Sequence, residues 1–288
     1  IINQLKKMGS SLDWSREAFT LDNERKFAVN TAFKKMYDEG LIYRGTRIVN
    51  WCPRCASTLS DDEVEYKEQK AVLYTFRYSK NFPIAISTTR LETKLGDMAV
   101  AVNPADERYK QYIGQSFNTD WGYEPQMIKI VSDENVDPSF GTGALGVTPA
   151  HSHADYEIAR KNLLPILQVI DEKGKMTEAA GEAYAGLSAK KAREKLASWL
   201  KENGLMEKEE EIPQNLSICY RCGAAIEPLP SLQWFIDVNK KISLPDNRFY
   251  QNKSIKEAAI QVVRSGEIKI IPARFEKTYF QWVENLRD

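Results

Sequence analysis

Apolar residues recur at three- and four-residue spacing in several stretches of the chain, each with its own start and stop signals. Between residues 22 and 40, Val29, Ala32, Phe33, Met36 and Tyr37 share one helical face, Asp22 stands at a capping position, and Gly40 suits the left-handed site after the last turn. These apolar positions are expected in the core. A second helix is expected from His153 through Asp155 to about Asn162, and a third from Ser188 as cap to Gly204 as stop, with Leu196, Trp199 and Leu200 inward. Ser254-Ile-Lys-Glu257 is a capping box that opens a fourth helix ending at Gly266, after which Ile268 to Ile271 reads as a buried strand.

Strand-like runs lie around Val72 to Tyr78 and Pro83 to Thr88, following the acidic ground of Asp61, Asp62, Glu63 and Glu65. That shift near residue 71 marks a first domain boundary. From residue 72 to 211 short strands and Gly, Pro, Asp and Asn turns predominate, which predicts a β-rich body. The charged run from Lys201 to Glu211 is most simply a solvated helix end and connector.

Composition narrows the class. With 42% hydrophobic and 28% charged residues, no apolar run long enough to span a bilayer and no N-terminal signal pattern, the chain reads as an intracellular globular protein of about two domains. Lys plus Arg and Asp plus Glu are 40 each, which removes any argument for bulk attraction to nucleic acid but permits a local basic patch. The chain opens at Ile1 and stops at Asp288 after an aromatic run, so it is expected to be a piece of a longer protein.

All four cysteines fall in two Cys-x-x-Cys pairs, Cys52/Cys55 and Cys219/Cys222, separated by 163 residues. Two thiolates on each tight turn can occupy adjacent corners of a zinc tetrahedron, and a closed four-thiolate shell would make that zinc structural. A redox pair and disulfides are the alternatives. The first needs a thioredoxin-like βαβ setting, and four cysteines in 288 residues are sparse for a disulfide scaffold. The long spacing implies that a domain is inserted into a small metal-bound ribbon.

Two polar segments could carry chemistry. Gly141-Thr-Gly143-Ala-Leu-Gly146 matches the dinucleotide fingerprint, but Asp137-Pro138-Ser139 precede it and Pro149 interrupts the helix that should follow. A nicotinamide-dependent oxidoreductase is therefore disfavoured. The same stretch continues through Thr148, His151, Ser152, His153 and Asp155 into a helix start, where backbone N–H groups and a carboxylate can face one space. His151 and His153 lack further metal ligands nearby and suit hydrogen-bonding roles. Asp155 by itself reads as a first-turn acid that complements the helix dipole. The second segment, Ser87-Thr88-Thr89-Arg90-Leu91-Glu92-Thr93, sets hydroxyls and a guanidinium at a strand exit, suited to an ester and a phosphate or to an edge strand.

Taken in order, Ser11-Leu-Asp-Trp-Ser-Arg-Glu17, Leu41-Ile-Tyr-Arg-Gly45, Val49-Asn-Trp-Cys-Pro53, Thr88-Thr-Arg90, Glu92-Thr93, Leu95-Gly-Asp97, Gly141-Thr-Gly-Ala-Leu145, Thr148-Pro-Ala-His151, Asp155-Tyr-Glu157, Cys219-Tyr-Arg-Cys222 and Gln233-Trp-Phe235 resemble the class I aminoacyl-tRNA synthetases, and within them the valine-specific branch. The isoleucyl and leucyl branches are the runners-up. The resemblance implies an α/β (α+β) chain in which a β-barrel-like editing domain, residues 72–211, is inserted through a zinc-binding stalk, residues 51–71 and 212–235, into parts of a Rossmann-type catalytic domain. Residues 1–50 would be a helical segment of that domain and residues 236–288 the return toward it.

It further implies a cytoplasmic, monomeric fragment that binds valine-specific tRNA and hydrolyses threonine mischarged onto its 3′ end. Asp155 would hold the α-ammonium group, with Thr88 and Thr89 as its catalytic companions and Thr93 framing the ester. Arg90 would meet the terminal adenosine or its phosphate, and Glu92, Phe140, Thr148 and His151 would complete the substrate site. Structural zinc would sit on Cys52, Cys55, Cys219 and Cys222, while ATP would serve only the full-length parent, since the two ATP-binding signatures of the family do not occur in this sequence. A catalytically weak tRNA-docking module is the alternative. Four positions depart from the branch pattern: Gly146 where Lys is common, Ser152 where Asp is common, Leu91 where Pro is usual and Lys94 where an apolar residue is usual.

Overall fold

A computed structural model describes residues 1–119, 126–243 and 251–288. Residues 120–125 of the expected editing body and 244–250 of the expected return segment lie outside the described residues. The chain divides into two compact units, one of Ile1–Gly45 with Gln233–Asp288 and one of Thr46–Leu232.

In the first unit α1 (Ile2–Lys7) precedes α2 (Asn23–Asp38), which starts where the Asp22 carboxylate accepts the Arg25 amide at 2.9 Å. The expected apolar face forms but is not buried: no residue of α2 is inaccessible, with Val29 at 65% and Tyr37 at 55% exposure. Phe33 and Tyr37 meet the edge of Trp234 yet stay 42% and 55% exposed, so the expectation of a core helix is corrected: among the described residues the stripe is covered only in part. Ser254 and Glu257 complete the predicted capping box of α5 (Ile255–Arg264), whose Ala258 and Val263 are buried. The strand expected at Ile268 to Ile271 does not form. Ile268 turns back to bond Val262 O, and Ile271 is 87% exposed with no ladder to it among the described residues; α6 (Glu276–Glu284) follows.

The second unit contains most of the apolar core. Strands β1 (Ile42–Cys52) and β2 (Ser57–Leu59) pair in a sheet of order β10-β1-β2, with β10 spanning Glu227–Ile236. Two long strands, β3 (Val64–Phe76) and β9 (Met206–Cys219), run antiparallel from Val64↔Cys219 to Phe76↔Met206, with β4 (Ile86–Thr88) on the other side of β3. The charged segment before the second Cys pair is thus a strand and not a connector. Glu207, Glu209 and Glu211 are exposed along a sheet edge, where Pro213 is also tolerated because that edge needs no further donor. The expected boundaries at 71/72 and 211/212 stand opposite each other in this ladder, as Ala71↔Ile212 and Val72↔Glu211.

A four-stranded mixed sheet of order β6-β7-β5-β8 comprises β5 (Ala99–Val102), β6 (Ser116–Thr119), β7 (Gln126–Ser132) and β8 (Ala144–Val147). Every residue of β5 is buried, as expected of an apolar run covered on both faces. Val100 and Val102 join the main core with Ile128, Ile130, Leu196 and Leu200, whereas Ala99 and Ala101 pack with Val147 and Ile158. Helix α3 (His153–Asn162) supplies Ile158, and α4 (Ala189–Glu202), capped by Ser188, supplies Leu196 and Leu200. Edge-to-face contacts of Phe76, Tyr78 and Phe82 complete the core. Among the described residues the sheets remain open, with β6 and β8 as edges; the barrel-like closure expected from the resemblance is not formed.

Candidate functional site

The Gly141–Gly146 segment turns directly into β8, and no helix follows at Val147, so the dinucleotide reading falls for lack of a helix N-terminus at the glycines. Gly143 adopts φ +78°, and a Cβ there would come within 2.7 Å of Pro138 O, so this glycine serves a tight turn. After β8 the chain reaches Thr148 and His151 before α3 begins. Ser152 caps α3, accepting the Asp155 amide at 3.3 Å and donating back to Asp155 Oδ1 at 3.0 Å. Asp155 is buried, and its Oδ2 accepts the Thr148 amide at 2.8 Å. The carboxylate therefore faces the preceding loop as well as the helix dipole.

His151 is buried and occupied on both ring nitrogens. Its Nε2 accepts the Val169 and Ile170 amides at 3.0 and 3.2 Å, which leaves Nδ1 as the donor to Pro228 O at 3.3 Å. Burial, reinforced by the Arg90 and Lys94 charges, pulls its pKa down to about 3, so it is neutral at physiological pH. His153 is partly exposed, and its Nε2 meets Asn50 Oδ1 at 3.2 Å.

The threonine-rich segment lies against this loop. Thr88 Oγ1 accepts the Arg90 amide at 3.1 Å, Thr93 Oγ1 donates to Arg90 O at 2.8 Å, and Thr89 Oγ1 accepts from Gln214 Nε2 at 2.8 Å. Arg90 bonds His151 O at 3.3 Å and pairs closely with Glu227. Glu92 is fully buried and takes a two-pronged bond from Arg193, at 2.6 and 2.7 Å. Burial raises the Glu227 carboxyl, and the Arg90 charge opposes that shift. Two arginines and two glutamates thus form a mutually neutralised cluster. It borders a polar cavity of about 400 Å³ lined by Thr89, Arg90, His153, Arg193, Gln214 and Glu227, among others; Asp155 and Thr148 are not in its wall. Phe140 is 62% exposed and makes no wall with the buried members.

Arg193, Glu227 and Gln214 were not singled out by sequence reasoning. Arg193 carries one signal, since it stands three residues before Leu196 on the inward stripe of α4, where a cation needs a buried partner. Glu227 and Gln214 offer none, because their partners are more than a hundred residues away.

The four cysteines come together, with sulfurs within 4.8 Å of one another. Cys52 Sγ is 3.5 Å from Cys222 Sγ and Cys55 Sγ is 4.0 Å from Cys219 Sγ, close to the separation of about 3.8 Å that four thiolates adopt around a tetrahedral zinc at about 2.3 Å. No disulfide links them. Each knuckle closes in the same way: Ala56 N bonds Cys52 O at 2.9 Å and Gly223 N bonds Cys219 O at 2.8 Å, both at positive φ. The Ala224 amide draws the Cys222 thiol down to about 7. The setting is a pair of strand-borne turns, unlike the βαβ unit of a redox motif.

Over residues 1–288 the chain matches the family described as tRNA synthetases class I (I, L, M and V), and it belongs to that family. Within it, the chain is 46% identical over 292 aligned residues to the valine–tRNA ligase of Symbiobacterium thermophilum, covering all of this chain and 30% of that protein. The valine–tRNA ligases of Petrotoga mobilis and Thermotoga maritima are each 44% identical to the whole chain, over 31% and 32% of their own lengths. The chain therefore spans about 30% of the length of the curated relatives it matches. The resemblance carried by its motifs is borne out. Among the described residues no helix is long and apolar enough to cross a membrane.

Proposed function

We propose that this chain is the editing region of a valine–tRNA ligase, in which a pocket around Asp155 hydrolyses threonine mischarged onto valine-specific tRNA. The observation that carries this reading is the junction of the two polar segments: Arg90 of the threonine-rich segment bonds His151 O, and Lys94 just beyond it bonds Thr148 Oγ1 at 2.8 Å. Hydroxyls, a guanidinium and a buried carboxylate thereby share one small region. In the valine-specific branch, as a known property and not one read from this chain, the synthetic pocket rejects the near-isosteric threonine only about a hundredfold, so a second, hydrolytic sieve is needed.

In this reading the Asp155 carboxylate takes the α-ammonium of the ester as a charge-assisted pair. Thr88, Thr89 and Thr93 frame the ester, Thr148 borders it, and the cavity beside Arg90 receives the terminal adenosine. Glu92 acts through Arg193, holding the cluster from behind. His151 is spoken for on both nitrogens and positions the loop. Water adds to the ester carbonyl carbon, the bond from that carbon to the ribose oxygen breaks, and the proton from water ends on the ribose hydroxyl; backbone N–H groups stabilise the charge that develops. Zinc on Cys52, Cys55, Cys219 and Cys222 would hold the ribbon closed, and ATP-dependent attachment of valine belongs to the whole ligase.

A second reading, a tRNA-docking module with a weak pocket, is favoured by one observation: both Asp155 oxygens already accept bonds from Thr148 and Ser152, as a structural cap would. Deacylation of threonyl-tRNA separates the two. The unmodified chain should release threonine and spare valine, and Asp155→Asn should lower kcat/KM by about a hundredfold or more while tRNA binding persists. Binding without hydrolysis in the unmodified chain would establish the docking module.

A further inference from the structure

The cavity beside Arg90 is rich in arginine yet poor in available positive charge. Its wall carries Arg90, Arg193, Glu227 and Asp61, and Glu92 backs both guanidiniums, so two cations face three carboxylates. His153, also in the wall, has its pKa lowered by burial and is neutral at physiological pH. The N–H groups of the arginines are committed as well. Arg193 gives Nε and Nη2 to Glu92 at 2.6 and 2.7 Å, while Arg90 gives Nη1 to His151 O at 3.3 Å and Nη2 to Glu227, with its Nε 3.8 Å from Glu92. A phosphate is gripped by a guanidinium edge that presents two N–H groups together. To take such an edge of Arg90 it would have to displace Glu227, whose side chain is only 14% exposed, and leave that carboxylate unpaired in a half-dry site.

The rest of the wall is neutral and suits an uncharged ligand. Gln69, Gln214 and Asn215 contribute carboxamides, which can donate and accept in pairs as the edge of a nucleobase requires, and Ser217 contributes a hydroxyl. Val64, Leu216 and Ile226 supply apolar surface, and Tyr66, 70% exposed, offers an aromatic ring on which a base can stack. A volume of about 400 Å³ is within the range of small-molecule sites.

We propose that this cavity is a nucleoside site closed to phosphate, and that Glu227 is the residue that closes it, by occupying the edge of Arg90 that an anion would need. The proposal deepens the editing reading, on which it rests for the identity of the nucleoside: of the two groups that Arg90 is expected to meet, the terminal adenosine enters and its phosphate stays outside. Glu227 is thus a specificity-determining residue contributed by the first position of β10.

The test measures equilibrium binding of adenosine and of adenosine 5′-monophosphate to the full chain and to Glu227→Gln, at low ionic strength. The unmodified chain should bind adenosine about tenfold more tightly than the monophosphate, and Glu227→Gln, which frees the Arg90 edge and removes one negative charge, should bring the two to within about threefold of each other. A merely structural glutamate would weaken both ligands alike and leave their ratio unchanged. That unchanged ratio, a monophosphate bound as tightly as adenosine by the unmodified chain, or no adenosine binding at all overturns the proposal. Where Glu227→Gln fails to fold, Asp61→Asn replaces it: this exposed carboxylate of the same wall should account for about threefold of the preference, and an unaltered ratio in it is equally decisive against the proposal. Adenosine preference without hydrolysis of threonyl-tRNA would remove the editing reading and leave the nucleoside site, whereas hydrolysis by a chain that binds both ligands equally would do the reverse.

Discussion

The two compact units use the same kind of sequence pattern to different ends. In the Thr46–Leu232 unit the stripe of α4 disappears into the core, with Ala192, Leu196 and Leu200 fully inaccessible, and β5 is buried on both faces. In the unit formed by the two ends of the chain, α2 and α6 bury no residue, although both carry aromatic side chains at helical spacing. A periodic stripe states which face of a helix is apolar. It does not supply the surface that covers it.

This contrast can be broken most directly by truncating the covered stripe. Leu200→Ala should lower the stability of the chain by about 2–5 kcal/mol, read by denaturant unfolding, because the closely packed neighbours of a fully buried leucine collapse only partly into the gap. A loss below 1 kcal/mol, on the order of a surface change, would erase the distinction between the units.

Acid should sharpen the contrast, because both histidines of the chain lie in the Thr46–Leu232 unit. The folded pKa of His151, about 3, is below its ordinary value, so the unfolded chain takes up a proton that the folded chain refuses. Its contribution is complete above the ordinary histidine range and falls away as the pH drops toward about 3, at about 1.4 kcal/mol per pH unit. His151→Gln should remove that part of the acid-side slope and leave the smaller part due to His153, whose pKa burial also lowers. An identical slope with and without His151 would mean that the imidazole is not held neutral.

The smallest effect is expected at the uncovered stripe. Val29 is 65% exposed, and Val29→Ser should change stability by no more than about 0.5 kcal/mol in the isolated chain. A cost comparable to that of Leu200→Ala would show that α2 is covered after all.

Several parts of the molecule were legible because their physics is local. Asp22, Ser188 and Ser254 cap their helices through amides three residues on, a distance that the chain itself dictates. The two knuckles follow from two thiols three residues apart on a turn, and the expectation that they come together is matched by four sulfurs within 4.8 Å of one another. The threonine-rich segment and the Thr148–Asp155 loop were marked as polar ground by residue type alone. The tertiary structure decided what each segment faces. The run Glu207 to Glu211 became a strand because β3 lies beside it, and Ile268 to Ile271 did not because among the described residues no partner strand does. Arg193 on Glu92, Arg90 beside Glu227 and Lys94 beneath Thr148 join residues 54 to 137 positions apart, and such pairs form only when folding brings their charges out of water together.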